Sequence, residues 1–218
     1  MNMDMKYKVV IFDLDGTLLD TLEDLRAAVN HALSQQGFPL HSLAEYRGMV
    51  GHGVRNLVTQ ALPEDQREET VIDTCLAEFK AYYTAHIDVH THPYPGMQEL
   101  LRALHGHGVM LAVASNKFQS GTEYLIRRFF GDVPFVAILG NREGYPLKPD
   151  PEIVGEVLRR AGVDAADAVL VGDSATDMKT ASNGGIPSIA VTWGYRDLPA
   201  DIAPVRATTA AELATLIV

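Results

Sequence analysis

The sequence carries a single cysteine, Cys75, among 218 residues, so an internal disulfide framework is excluded and a reducing compartment suits it. Cys75 falls in a helical pattern at residues 71–86 with no base beside it, and reads as a small apolar side chain in a core. No stretch is long and apolar enough to span a bilayer. The N-terminal M-N-M-D-M-K-Y-K leads directly into a strand, so no secretory leader is expected. Repeats, low-complexity tracts and long linkers are missing. Basic residues are in the minority, 18 Lys and Arg against 28 Asp and Glu, for a formal net charge of -10. They do not cluster either: Arg127-Arg128 and Arg159-Arg160 are single pairs within helical patterns. This disfavours nucleic acid and anionic membrane as partners, both of which reward basic patches. A local positive site can still hold a small phosphate compound. The expectation is a soluble cytoplasmic protein, a monomer or homodimer, with no nucleic-acid or membrane partner.

What is present is an ordinary globular composition, 47% apolar and 21% charged. Val9, Val10, Ile11 and Phe12 form an apolar run of the kind buried on both faces of a parallel sheet. Leu22, Leu25, Ala28, Val29, Ala32 and Leu33 then recur at helical spacing up to Gly37, and helical patterns continue at 54–62 and 71–86. No strand-like run appears between Leu22 and Tyr94. From Tyr94-Pro95-Gly96 onward helices at 97–107, 119–130, 151–161, 176–183 and 210–217 alternate with strands at 109–114, 135–139, 168–171 and 188–191. Such alternation implies a parallel sheet covered by helices on both faces. The expected fold is α/β: a doubly wound, Rossmann-like core of residues 1–20 and 94–218 with an inserted all-helical cap of residues 21–93.

Ligands of such sheets bind outside the carboxyl ends of the strands. Those ends carry Asp13-x-Asp15-Gly16-Thr17, then Ser115-Asn116-Lys117, then Gly172-Asp173-Ser174-x-x-Asp177, with Lys148 held between prolines in L-K-P-D-P. Carboxylates brought together there repel, by roughly 4 kcal/mol per pair at about 4 Å and an effective dielectric near 20. A divalent cation relieves this, and a small all-oxygen site that meets a phosphate suits Mg²⁺. Lys148 adds positive charge, and Ser115 with the backbone amides around Asp15, Gly16 and Asn116 can donate to phosphate oxygens. Taken singly, each piece has a plainer explanation: a turn, an N-cap, a solvated lysine. Their conjunction at successive strand ends fits phosphoryl transfer, which rests on positioning and charge neutralisation.

The order D-L-D-G-T, Ser115, Lys148 and G-D-S-A-T-D resembles the haloacid dehalogenase superfamily over nearly the whole chain. Within it, Y-P-G at 94–96, S-N-K at 115–117, L-K-P-D-P at 147–151 and W-G-Y-R at 193–196 resemble the phosphoglycolate phosphatase branch. The resemblance implies Asp13 as nucleophile forming an aspartyl-phosphate and Asp15 as acid and then base. It implies Mg²⁺ held by the Asp13 carboxylate, the Asp15 carbonyl and Asp173, with Asp177 acting through a water or from behind them. Ser115, Asn116 and Lys148 are then expected to cradle the phosphoryl group, while Thr17 and Asp20 shape the loop. Dehalogenases lack an acid at the position of Asp15, and phosphonatases need a cap lysine, for which only Lys80 is available.

Substrate choice is expected from the cap loop Y-R-G-M-V-G-H-G-V-R: Arg47, Gly51, His52, Gly53 and Arg55. Glycines let backbone approach an anion, and an arginine could grip a substrate carboxylate, as phosphoglycolate would require. The alternative is a plain turn with solvated arginines. His86, His90 and His92 read as surface or hinge residues, since zinc needs convergent ligands and a supporting shell. Two further readings stay open: a sugar-phosphate mutase or pyrophosphatase on the same scaffold, and a receiver-like module in which an aspartate is phosphorylated to signal. The receiver would need neither Asp15 nor a cap.

Overall fold

The computed structural model describes residues 6–218. Residues 1–5, assigned to the core from sequence, lie outside the described residues. The main sheet has six strands in the order β5-β4-β1-β6-β7-β8, all parallel. These are β1 (Val9–Phe12), β4 (Met110–Phe118), β5 (Ala137–Asn141), β6 (Ala168–Gly172), β7 (Ser188–Val191) and β8 (Arg206–Ala207). β1 sits between β4 and β6, and all four of its side chains are fully buried. Val10 and Phe12 enter one apolar cluster and Val9 and Ile11 the other, so the strand is the seam between the two helical layers. Burying each such side chain stabilises by about 1.5–3 kcal/mol, which is why the run contains no polar residue until the sheet ends.

The helical layers are α5 (Met97–Gly106), α6 (Gln119–Phe130), α7 (Glu152–Ala161), α8 (Ala175–Asn183) and α9 (Ala210–Ile217). The fold is therefore the expected Rossmann-like α/β core. Three short strands differ from the sequence reading: β8 at the edge of the main sheet and two that lie outside it. β2 (Leu19–Asp20) and β3 (His92–Pro93) pair antiparallel where the chain leaves the sheet and where it returns. Between them lie α1 (Leu22–Gln35), α2 (Leu43–Met49), α3 (Val54–Ala61) and α4 (Glu69–Ala85). α1 and α4 pack through Leu25, Val29 and Leu33 against Phe79 and Tyr83 in one buried cluster. Cys75 is fully buried on α4, where burial pushes its thiol up from the ordinary value.

α2 has no counterpart among the helical patterns of the sequence, because it is only seven residues long and runs into Gly48, Gly51 and Gly53. Its start is nevertheless encoded: Ser42 accepts from the Glu45 amide while Glu45 accepts from the Ser42 amide, a reciprocal cap. Buried Asp24 of α1 fastens the return crossing by accepting from the amides of His90 and Thr91 and from the Thr91 hydroxyl, at 2.8–3.0 Å. No helix among the described residues is long and apolar enough to cross a membrane.

Candidate active site

The site forms where β1, β4 and β6 end side by side. The Asp13 amide still donates to Val171 of β6, 2.9 Å, which keeps the first acid in line with the sheet. The chain then turns back on itself, with Leu18 and Leu19 donating to Leu14 and Gly16 to Leu19. Gly16 is required at the turn because its φ is +88° and a Cβ there would lie 2.4 Å from Asp173 Oδ2. On the other side, a Cβ on Gly194 would meet Asp173 at the same distance. Asp173 is thus clasped between two glycines, and the Tyr195 amide donates to its Oδ2 at 2.7 Å.

The spacing G-D-S-x-x-D is explained by helix start. Ser174 caps α8, and Asp177, three residues later, returns the bond to the Ser174 amide and hydroxyl through Oδ2. Its Oδ1 is thereby left to accept from Lys148 at 2.6 Å. Lys148 is only 4% exposed and also donates to Asp13 Oδ1 and to the Ala114 carbonyl, each at 2.8 Å. Burial alone would lower the pKa of this ammonium, but the facing Asp13 and Asp177 outweigh it and raise it. It is a fixed, saturated cation.

Asp13, Asp173 and Asp177 offer oxygens that all lie within 4.8 Å of one another. Three carboxylates against one ammonium leave an uncompensated charge of about two, which buried groups cannot sustain in the absence of another cation. Accordingly, burial and the neighbouring acids push Asp13 up to about 7, against the pull of Lys148, and Asp173 up to about 8. This donor set, all oxygen, acidic and short of positive charge, fits a divalent metal. It gives a test. Without metal, the folded chain keeps protons on Asp13 and Asp173 that the unfolded chain has released above the ordinary 3.8. Stability contributed this way is complete at low pH and is lost as the pH rises through the folded values. A divalent cation replaces those protons. The gain in Tm on exchanging EDTA for MgCl2 is therefore expected to be larger near pH 8 than near pH 5.5, as scanning calorimetry would read. An equal gain at both would contradict the assignment.

Asp15, the second acid of the loop, has its own cation. Lys117 donates to both its oxygens at 3.1 and 3.3 Å, and Thr21 donates to Oδ1 at 2.7 Å. The same ammonium donates to the phenol oxygen of Tyr83, from α4, at 2.7 Å. Lys117 stands in the S-N-K quoted from the sequence, where it received no role, and Tyr83 and Thr21 received none. Ser115 is buried and its hydroxyl accepts from the Lys117 amide at 3.2 Å.

Asn116 departs from the expectation. It lines the cavity above the acids, but its carboxamide donates to the Gly51 and Lys148 carbonyls and accepts from the Lys148 amide, so the side chain braces the lysine loop and the helical segment. The cap arginines depart from it as well. This cavity of ≈ 50 Å³ is lined by Asp13, Asp15, Lys117, Lys148, Gly51 and Gly53, among others, but not by Arg47, His52 or Arg55. All three of these side chains are exposed. Arg55 is held away by Glu69 and by Asp73 of α4, the latter at 2.6 Å. α3 presents Arg55 to its neighbouring helix because the acids there lie one turn apart, a relation invisible in linear order. Arg55→Ala is expected to leave kcat/KM for phosphate esters within about threefold, since exposed ion pairs contribute little; a loss on carboxylate-bearing esters alone would restore it as a substrate ligand. Arg196 is the arginine that does line the cavity, and one of its nitrogens donates to the carbonyls of Gly48 and Val50 at 2.8 Å, tying α2 to the core.

The geometry describes an acid pair at a strand end, each acid with its own lysine, beside a metal-competent carboxylate cluster. A family model for haloacid dehalogenase-like hydrolases matches residues 10–191. A phosphoglycolate phosphatase of Mesorhizobium japonicum is 38% identical over 195 residues, covering 88% of this chain and 86% of that one. One from Agrobacterium fabrum is 35% identical over 193 residues, with 88% and 83% covered. The crystal structure of a Lactobacillus delbrueckii subsp. bulgaricus protein provisionally named phosphoglycolate phosphatase superposes with a TM-score of 0.92 at 35% identity, covering 98% of this chain and 99% of that one. The chain belongs to the haloacid dehalogenase-like hydrolases. Within them it is phosphoglycolate phosphatase-like, a phosphoric monoester hydrolase.

Proposed function

We propose that the protein is a Mg²⁺-dependent phosphatase that hydrolyses 2-phosphoglycolate through a phospho-aspartate on Asp13. The observation that carries this is the pairing of acids with separate cations: Lys148 on Asp13 and Lys117 on Asp15. Two adjacent carboxylates in different environments take different roles in one reaction. Lys148 holds Oδ1 of Asp13, and Oδ2 has no hydrogen-bond partner among the described residues, so it is the oxygen free to attack. Asp13 bonds to phosphorus as the ester P–O bond breaks, and Asp15 gives its proton to the departing alkoxide. Asp15 then takes a proton from the water that attacks phosphorus, which releases phosphate and restores Asp13. Ser115 and the backbone amides beside it hold the phosphoryl oxygens, and Lys148, whose three N–H donors are already used, contributes its positive charge next to them. Asp13, Asp173, Asp177 and the Asp15 carbonyl would hold the metal, which when bound neutralises charge on the phosphoryl group. In this reading residues 21–93 are a cap that excludes water from the cavity.

The relatives' names support the substrate, and the small cavity suits a small ester. The test is phosphate release from a panel of small esters, with MgCl2 and with EDTA. Mg²⁺-dependent release concentrated on 2-phosphoglycolate is expected. Release concentrated on another ester refutes the substrate, and undiminished release in EDTA refutes the metal.

A further inference from the structure

Phosphoglycolate carries a carboxylate that the expected cap arginines are not placed to meet, and an apolar cavity wall cannot hold such a charge without a partner. Leu25, Val54, Leu57, Phe79 and Phe118 line the cavity beside three cations: the two lysines and Arg196, which is anchored at the rim by the Gly48 and Val50 carbonyls, away from Asp15. Lys148 is already bonded to two carboxylates and a carbonyl. Lys117 is bonded to one acid and one phenol. Tyr83 accepts from Lys117 and is fully buried, and its own hydroxyl proton has no acceptor among the described residues. Side by side, an ammonium and an unspent phenol proton face the cavity with a single acid to receive them.

We propose that Lys117 and Tyr83 form the seat of the substrate carboxylate and so determine specificity, an inference that rests on the phosphoglycolate reading above. Asp15 must touch the ester oxygen to protonate it. In 2-phosphoglycolate the carboxyl carbon is only two bonds from that oxygen. A cation already in contact with Asp15 is therefore within hydrogen-bond reach of the carboxylate while phosphorus lies against Asp13. Lys117 comes from the end of β4 and Tyr83 from α4, so the seat is complete only when the helical segment rests on the strand ends. The carboxylate thereby links recognition of the correct ester to closure of the site around Asp15.

The experiment compares 2-phosphoglycolate with ethyl phosphate, which lacks the carboxylate, in the unaltered enzyme, Lys117→Met and Tyr83→Phe. Both steady-state kinetics and calorimetric Kd values in an Asp13→Asn background are read. Lys117→Met is expected to lower turnover of both esters through Asp15, and in addition to cut the preference for phosphoglycolate by about 10–100-fold, chiefly in KM and Kd. Tyr83→Phe is expected to cut that preference by about tenfold. Where Lys117→Met does not fold, as judged by circular dichroism, Tyr83→Phe decides. Parallel losses on both esters, or a preference retained in the variants, overturn the seat alone. An unaltered enzyme with no preference for phosphoglycolate overturns both the substrate reading and the seat.

Discussion

Asp13→Asn is expected to lower phosphate release by about four orders of magnitude or more, the scale on which loss of a nucleophile is felt. The amide keeps the shape of the carboxyl group and an oxygen that can still accept from Lys148, so the site stays assembled. What it loses is the capacity to form a bond to phosphorus. Burial already pushes Asp13 up to about 7, so in the metal-free protein the side chain is about half protonated at neutral pH and neutral below it. A neutral replacement therefore costs little stability, and a Tm close to that of the parent is expected alongside the lost activity. Circular dichroism melts and a coupled phosphate assay separate the two. A large fall in Tm would mean that Asp13 is principally a structural acid, and residual activity within tenfold would mean that it is not the nucleophile.

Lys148→Met should have the opposite profile, with stability and activity failing together. The ammonium is 4% exposed and is the one cation bonded to Asp13 and Asp177 among the described residues. Removing one side of a buried ion pair costs about 3–5 kcal/mol because the remaining charge is left without compensation. At about 2–4 °C per kcal/mol for a chain of this size, Tm should fall by roughly 10 °C. The fall should be smaller near pH 5.5 than near pH 8, because at the lower pH protons on Asp13 and Asp173 take over part of the neutralisation. Hydrolysis should drop by about 10²–10³ or more, as when a preorganised cation or donor is removed from a developing negative charge. A variant that keeps its Tm and is active would place the compensating charge elsewhere.

How much of this was legible in the sequence follows from what the chemistry requires locally. Asp13, Asp15 and Asp173 stand at strand ends, next to apolar runs and glycines, where acids demand an explanation; Asp177 follows in the first turn of α8, and Lys148 is marked by the prolines of its loop. The strand–helix alternation from residue 94 onward was equally plain, because each element is long enough to show its period. The start of α2 was written as Ser42-x-x-Glu45 and went unused. The short strands β2, β3 and β8 have two residues each and no period to detect. Lys117 and Tyr83 meet across 34 residues and two different layers, and the pairing of β4 with β5 shifts between Ala114 and Phe118. Strict alternation therefore no longer says which side chain faces the site. Arg55 illustrates the converse: its charge was visible, but the acids of α4 that hold it outside the cavity are assigned only by helix packing.

The most direct test of the central claim is an acid quench within milliseconds of mixing the enzyme with MgCl2 and 2-phosphoglycolate labelled in its phosphoryl group. The account predicts protein-bound label that hydroxylamine releases, that maps to the peptide containing Asp13, and that is missing from Asp13→Asn. Full turnover with no label on the protein, or label on a different residue, would contradict it.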